Sequence, residues 1–175
     1  EFAFRLSDGN LGFRFVACAA AVVLAWSIVR LFQRHGVPTS LAVLTAGALL
    51  FDASMLQSVT LGRQDSVALA LLFGGMLLAS WAVSTGFSAT RTLVCTSLGY
   101  VLCALAPAVW SAALLLGLIV ILHLVLTIRS LLQTYPDMPR LHLCWLLLPP
   151  ALVFLIAVFA PFALWTGEAP QTPVQ

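Results

Sequence analysis

Long apolar stretches separated by short polar breaks constrain this chain more than any other feature. They fall at residues 11–32, 37–56, 66–83, 92–106, 108–128 and 143–165. A bilayer hydrocarbon core about 30 Å thick needs roughly 17–25 helical residues to cross it, and most of these stretches are long enough. The fourth, about 22 Å long at 1.5 Å per residue, is short, and it meets the fifth at Pro107, where a missing N–H and a ring clash predict a helix break. The reading is therefore an all-α bundle of six transmembrane spans. The fourth and fifth spans form a tight hairpin that does not fully cross. The breaks carry Gly36 and Pro38, Gly62 to Asp65, Gly86, and the run from Tyr135 to Arg140. None is long enough for a second domain, so residues 1–166 form one membrane domain and 167–175 a polar tail.

Composition agrees with this reading. Charged residues make up 8% and hydrophobic residues 62% of the 175 positions, where a soluble domain has about 25% charged. Strands are a poor alternative, because a lipid-embedded barrel needs alternating polarity and these stretches are apolar on all sides. A net charge of +2 offers no basic surface for nucleic acid, and with no Lys there is no Walker-type phosphate loop. The chain opens at Glu1 with none of the parts of a signal peptide. A start other than Met is what a piece of a longer polypeptide would show.

Counting arginines in the short loops orients the spans, since basic residues favour the cytoplasmic side. With both termini on the non-cytoplasmic side, Arg30, Arg34, Arg91, Arg129 and Arg140 lie inside and Arg5, Arg14 and Arg63 outside. Asp52 then falls within the second span, a turn or two from its outer end. A carboxylate at that depth costs roughly 2.5–3.5 kcal/mol on insertion scales and marks either a wet cavity or a packing ion pair. The stretch from Asp52 to Asp65, with Ser54, Gln57, Ser58, Thr60, Arg63 and Gln64, is the most polar part of the chain. An outward-facing cavity and a buried pair of Asp52 with Arg63 or Arg14 both fit.

His35, His123 and His142 all fall toward the inner side. Haem ligation by His123 and His142 is geometrically conceivable, but no motif supports it, and His123 reads as a hydrogen-bonded packing residue. Cys18, Cys95, Cys103 and Cys144 show no Cys-x-x-Cys spacing and behave as small hydrophobes. No Gly-x-Ser-x-Gly is present.

Several elements in order resemble the middle of a GT-C-fold glycosyltransferase dependent on a polyprenyl-phosphate sugar, as in protein mannosyltransferases and bacterial aminoarabinose transferases. These are Leu11-Gly12-Phe13-Arg14-Phe15, the basic turn Arg30 to Gly36, Gly62-Arg63-Gln64-Asp65-Ser66, Leu98 to Pro107, and Phe159 to Trp165. The resemblance implies Asp65 as a catalytic acidic residue able to take part in holding a divalent metal ion. It also implies that Arg63 and Arg14 contact a lipid phosphate, with Asp52 and Gln57 nearby on the substrate side. The family's main catalytic carboxylate would precede Glu1, so the 175 residues alone would not be active. A non-catalytic membrane subunit, docked to other membrane chains in the lipid bilayer, is the alternative, and a transporter fragment built around a broken helix at Pro107 is the third.

Overall fold

A computed structural model describes residues 10–61, 63–139 and 141–165. It is all-α: α1 (Asn10–Arg34), α2 (Thr39–Leu50), α3 (Ala53–Leu61), α4 (Asp65–Ser84), α5 (Ala89–Val109), a 3-10 helix (Ser111–Leu116), α6 (Gly117–Thr134) and α7 (His142–Trp165). Five segments are long and apolar enough to cross a membrane, and α2 with α3 supplies a sixth across a 61° bend. The protein is a multi-pass integral membrane helical bundle.

The bundle is built around α4 and α5. Ala68, Leu72, Gly75, Ala79 and Ala82 on α4 recur at spacings of four and three, as do Thr92, Thr96, Gly99, Cys103 and Ala106 on α5, and all are buried. That heptad spacing makes one continuous stripe on each helix, and small residues along it let the two backbones approach. A Cβ added at Gly75 would lie 2.8 Å from the Cys103 sulfur, and one at Gly99 would lie 2.9 Å from the Ala79 amide nitrogen. Cys103 also donates its S–H to the Leu72 carbonyl oxygen at 3.3 Å. Around this pair, α1 lies on α4, α7 lies on α5, α6 leans on α4, and α2 lies against α1. Only 6% of the residues in the α7 span are fully buried, against 56% of those in α4, so α7 packs on α5 along one side and leaves the rest of its apolar surface outward.

Helix ends follow local chemistry. α1 stops at Gly36, whose φ of +78° is the left-handed conformation that glycine adopts without a Cβ penalty. The Gly36 and Val37 amides donate to the Gln33 and Phe32 carbonyls at 3.1 and 3.0 Å, closing the end as a Schellman motif. α4 begins with Asp65, a carboxylate where the helix dipole favours negative charge.

Two sequence expectations change. The fourth span runs from Ala89 to Val109 through Pro107, about 31 Å at 1.5 Å per residue, and crosses fully. Proline near the last turn interrupts little beyond it, and the break comes at Trp110, whose φ of −149° and ψ of 111° are extended. The second span is not one helix over 37–56: it breaks at Phe51 and Asp52, and the Asp52 carbonyl accepts the first bond of α3 from Leu56 at 3.0 Å. The tail call at 167–175 lies outside the described residues.

The relative direction of the helices is fixed by contacts. Ser27 faces Gly74, and Arg34 reaches Ser80 and Ser84, so α1 and α4 run parallel. Parallel neighbours need a return crossing between them, which makes α2 and α3 together a broken span that traverses the bundle. α5 runs antiparallel to α4 and to α6, so Arg34, Ser84, Phe87, Thr92 and Tyr135 share one end. Asp65 lies at the other.

Candidate functional site

The residues expected from sequence sit at the Asp65 end without forming a closed site. Asp65 keeps 15% of its side chain exposed, and its Oδ2 lies 3.3 Å from an Arg63 Nη2 that is half exposed. Arg14, Asp52 and Gln57 are exposed, on α1, in the α2–α3 break and on α3. The parallel offset of 46 to 50 residues between Arg34 and its partners on α4 sets Asp65 level with about residue 17, so Arg14 is roughly one turn further toward the helix start. A divalent ion would need several oxygen or nitrogen donors. No group of three or more His, Cys, Asp or Glu converges among the described residues, and the one acidic side chain at the helix start already faces a guanidinium.

A better-formed site lies at the opposite end. Its centre is His123 on α6, 6% exposed, with both ring nitrogens hydrogen-bonded: Nε2 to Ser80 Oγ of α4 and Nδ1 to the Tyr100 hydroxyl of α5, each at 2.8 Å. Tyr100 donates to Thr127 Oγ1 at 2.9 Å, and Thr127 donates to the His123 carbonyl oxygen at 2.8 Å. One arrangement of protons satisfies every group: Ser80 donates to Nε2, Nδ1–H donates to Tyr100, Tyr100 to Thr127, and Thr127 to the backbone. The network ties α4, α5 and α6 together, consistent with the rule that buried polar groups are hydrogen-bonded.

Toward the end of the bundle the network opens. Arg34 of α1 donates through Nη1 to the Ser80 carbonyl oxygen at 3.1 Å and to Ser84 Oγ, and the His35 ring stands edge-on to His123 with centroids 6.2 Å apart. A cavity of about 520 Å³ lies among Arg34, His35, Ser80, Ser84, His123 and Thr127, with Ser130 and Thr134 on its α6 wall. No carboxylate lines it among the described residues. Beside it, Tyr135 donates to the Phe87 carbonyl oxygen at 2.6 Å and bonds Thr92 Oγ1 at 3.0 Å, closing the α6 end over the α4–α5 turn.

These groups suit an anion. Arg34, the His35 ring and the Ser130 hydroxyl carry N–H and O–H groups that phosphate or carboxylate oxygens can accept from, while His123 and the hydroxyls of Ser80, Ser84, Thr127 and Thr134 already bond within the protein. Both bonds of Arg34 run through Nη1, which leaves most of its fork for a ligand. Ser80, His123 and Tyr100 also follow the order of a nucleophile, a base and an orienting group. The third group is a phenol, however, which brings no negative charge to stabilise an imidazolium. The triplet can pass a proton along its bonds but lacks the electrostatics of a hydrolase triad.

Sequence reasoning placed the histidines toward this end and read His123 as a hydrogen-bonded packing residue, which the geometry bears out. His142 is exposed at the start of α7. Arg34, Ser80, Ser84 and Tyr100 were not singled out as site residues. The one signal available was the coincidence of Arg34-His35 with hydroxyl-bearing helix ends on the same side. Compared with protein-family models, curated proteins and solved structures, the chain matches none.

Proposed function

We propose that the protein is a membrane-embedded module that binds a phosphate-bearing ligand at the end of the bundle holding Arg34 and His123. The cavity carries this reading: about 520 Å³, one fixed guanidinium with most of its fork free, the His35 ring and the Ser130 hydroxyl around it, and no carboxylate among the described lining residues to repel an anion. Among the described arginines, Arg30, Arg34, Arg91 and Arg129 lie at this end and Arg14 and Arg63 at the other, which supports a cytoplasmic cavity with both termini on the opposite side. Calorimetric titration of the detergent-solubilised protein with glycerol 3-phosphate tests the reading. Binding should weaken at least tenfold in Arg34→Gln, since a charge-assisted hydrogen bond contributes about 1.5–3 kcal/mol. No heat at millimolar ligand with the unaltered protein would sink it.

A second reading follows the resemblance to polyprenyl-phosphate-sugar-dependent GT-C glycosyltransferases. It is supported by Asp65, a partly shielded carboxylate at a helix start beside Arg63. Its chemistry belongs to the other end of the bundle, with Arg63 and Arg14 on the lipid phosphate. Asp65→Asn should abolish sugar transfer in a polypeptide that carries it out while leaving folding intact; unchanged turnover would remove the assignment. The alternative of a non-catalytic membrane subunit is supported by the outward apolar surface of α7, and affinity purification with partner mass measurement separates it from both.

A further inference from the structure

The arginine end continues into a second feature. Between α1 and α4 runs an open trough of about 970 Å³, walled by Val23, Trp26, Leu71, Leu78 and Trp81 and floored at Gly74. Among the described residues its charged lining is Arg30 and Arg34, both at one end, with Gln33 between them, and no acidic residue. Arg34 and Ser84 belong to both the trough and the polar cavity. From Val67 to Trp81 the α4 wall is about 21 Å long, more than one leaflet of about 15 Å. Ser27, fully buried in the trough lining about 4.5 Å below the level of Arg30, holds a hydroxyl with no hydrogen-bond partner among the described residues.

An apolar channel of leaflet length with two guanidiniums at its mouth is complementary to one kind of molecule. We infer that the ligand of the cavity is an anionic membrane lipid with a phosphate monoester headgroup, its acyl chain lying in the trough and its phosphate held by Arg30 and Arg34. This rests on the phosphate-binding reading above and gives it a substrate class. Guanidinium forks match phosphate oxygens bidentately, which a zwitterionic headgroup with its own ammonium counter-charge would partly forfeit. Gly74 lines the trough beside Ser27, and a Cβ there would lie 3.7 Å from Ser27 Oγ.

Tail-brominated lipids quench tryptophan fluorescence on contact, and two of the five tryptophans, Trp26 and Trp81, line the trough. The full chain with Trp110, Trp145 and Trp165 changed to Phe is titrated in micelles with dibrominated phosphatidic acid and dibrominated phosphatidylcholine. A parallel calorimetric titration uses glycerol 3-phosphate. Phosphatidic acid should be preferred by about tenfold, and Arg30→Gln should reduce that preference to about threefold or less. Gly74→Leu should weaken quenching by both lipids; because it may disturb α1–α4 packing, the exposed Arg30→Gln carries the decision. Equal quenching by the two lipids with glycerol 3-phosphate still bound overturns the lipid inference and leaves the cavity reading standing. Failure of both titrations overturns both. A dimer lost in Gly74→Leu, with no lipid preference, would mean that a second copy fills the trough, which also overturns the inference.

Discussion

Replacing Gly99 by Ala tests the packing on which the bundle depends. A Cβ at this position would sit 2.9 Å from the Ala79 amide nitrogen and 3.2 Å from Ala79 Cβ, and closer still to the Gly75 carbonyl oxygen. Heavy atoms prefer about 3.5–4.0 Å, so the shortfall is at least roughly 0.6 Å, and the nearest atoms are backbone, which cannot swing aside as a side chain does. α4 and α5 must therefore separate along the whole seam from Ala68 to Ala82, and overpacking of this kind costs about 1–3 kcal/mol. Alanine also gains up to about 1 kcal/mol of helix propensity over glycine, which would mask part of the loss. Gly47→Ala cancels that gain in the comparison, since nothing lies within 4 Å of a Cβ at Gly47. Unfolding in mixed detergent–dodecyl sulfate micelles, followed by tryptophan fluorescence, should place Gly99→Ala about 1–3 kcal/mol below Gly47→Ala. Combining it with Gly75→Ala should add less than the sum of the two, because one separation relieves both clashes. Equal stability of Gly99→Ala and Gly47→Ala would refute the close approach.

Other perturbations have distinct signatures in the same unfolding measurement. His123→Leu leaves Ser80 and Tyr100 without their shared partner and should lower stability by about 1–3 kcal/mol, with a smaller loss in His123→Gln. Tyr135→Phe deletes the hydroxyl that joins the Phe87 carbonyl and Thr92, and should cost about 1 kcal/mol while exposing the nearby backbone amides to faster hydrogen exchange. Gly36→Ala meets no neighbour within 4 Å, so its loss, about 1–2 kcal/mol, is backbone strain alone at φ +78°. Arg63→Ala removes a half-exposed guanidinium from its ion pair with Asp65 and should shift stability by less than about 1 kcal/mol.

The spans were legible because apolar length is a property of the chain itself: 11–32, 66–83 and 143–165 each lie on one helix with ends displaced by a few residues, while 108–128 begins in the end of α5 and runs through the 3-10 helix into α6. Two local rules were over-applied. Proline was read as ending the fourth span at Pro107, but α5 absorbs it within its last turn and ends at Trp110 instead. Asp52 was read as lying on a continuous helix, whereas the chain bends there and places it in the break between α2 and α3. The α4–α5 seam was present in the sequence as two runs of small residues at spacings of four and three. It went unread because nearly every residue around it is also apolar, so hydropathy alone could not separate the packed stripe from the outward faces.

The site was less legible for a different reason. Arg34 meets Ser80 and Ser84 across 46 and 50 residues, and Ser80 meets His123 across 43. Those contacts follow from α1, α4 and α6 running parallel, and α1 can run parallel to α4 only because α2 and α3, despite their bend, carry the chain back across the bundle. The same crossing separates the two candidate chemistries: it sends Asp65 and Arg63 to one end and gathers Arg30, Arg34, His35 and His123 at the other. A ligand held at the Arg34 cavity is therefore out of reach of Asp65 by about the length of α4, some 30 Å. Any reaction that used both ends would need two ligands, so Asp65→Asn should leave glycerol 3-phosphate binding unchanged, and a tenfold loss in that variant would mean that the ligand does not sit at the Arg34 cavity.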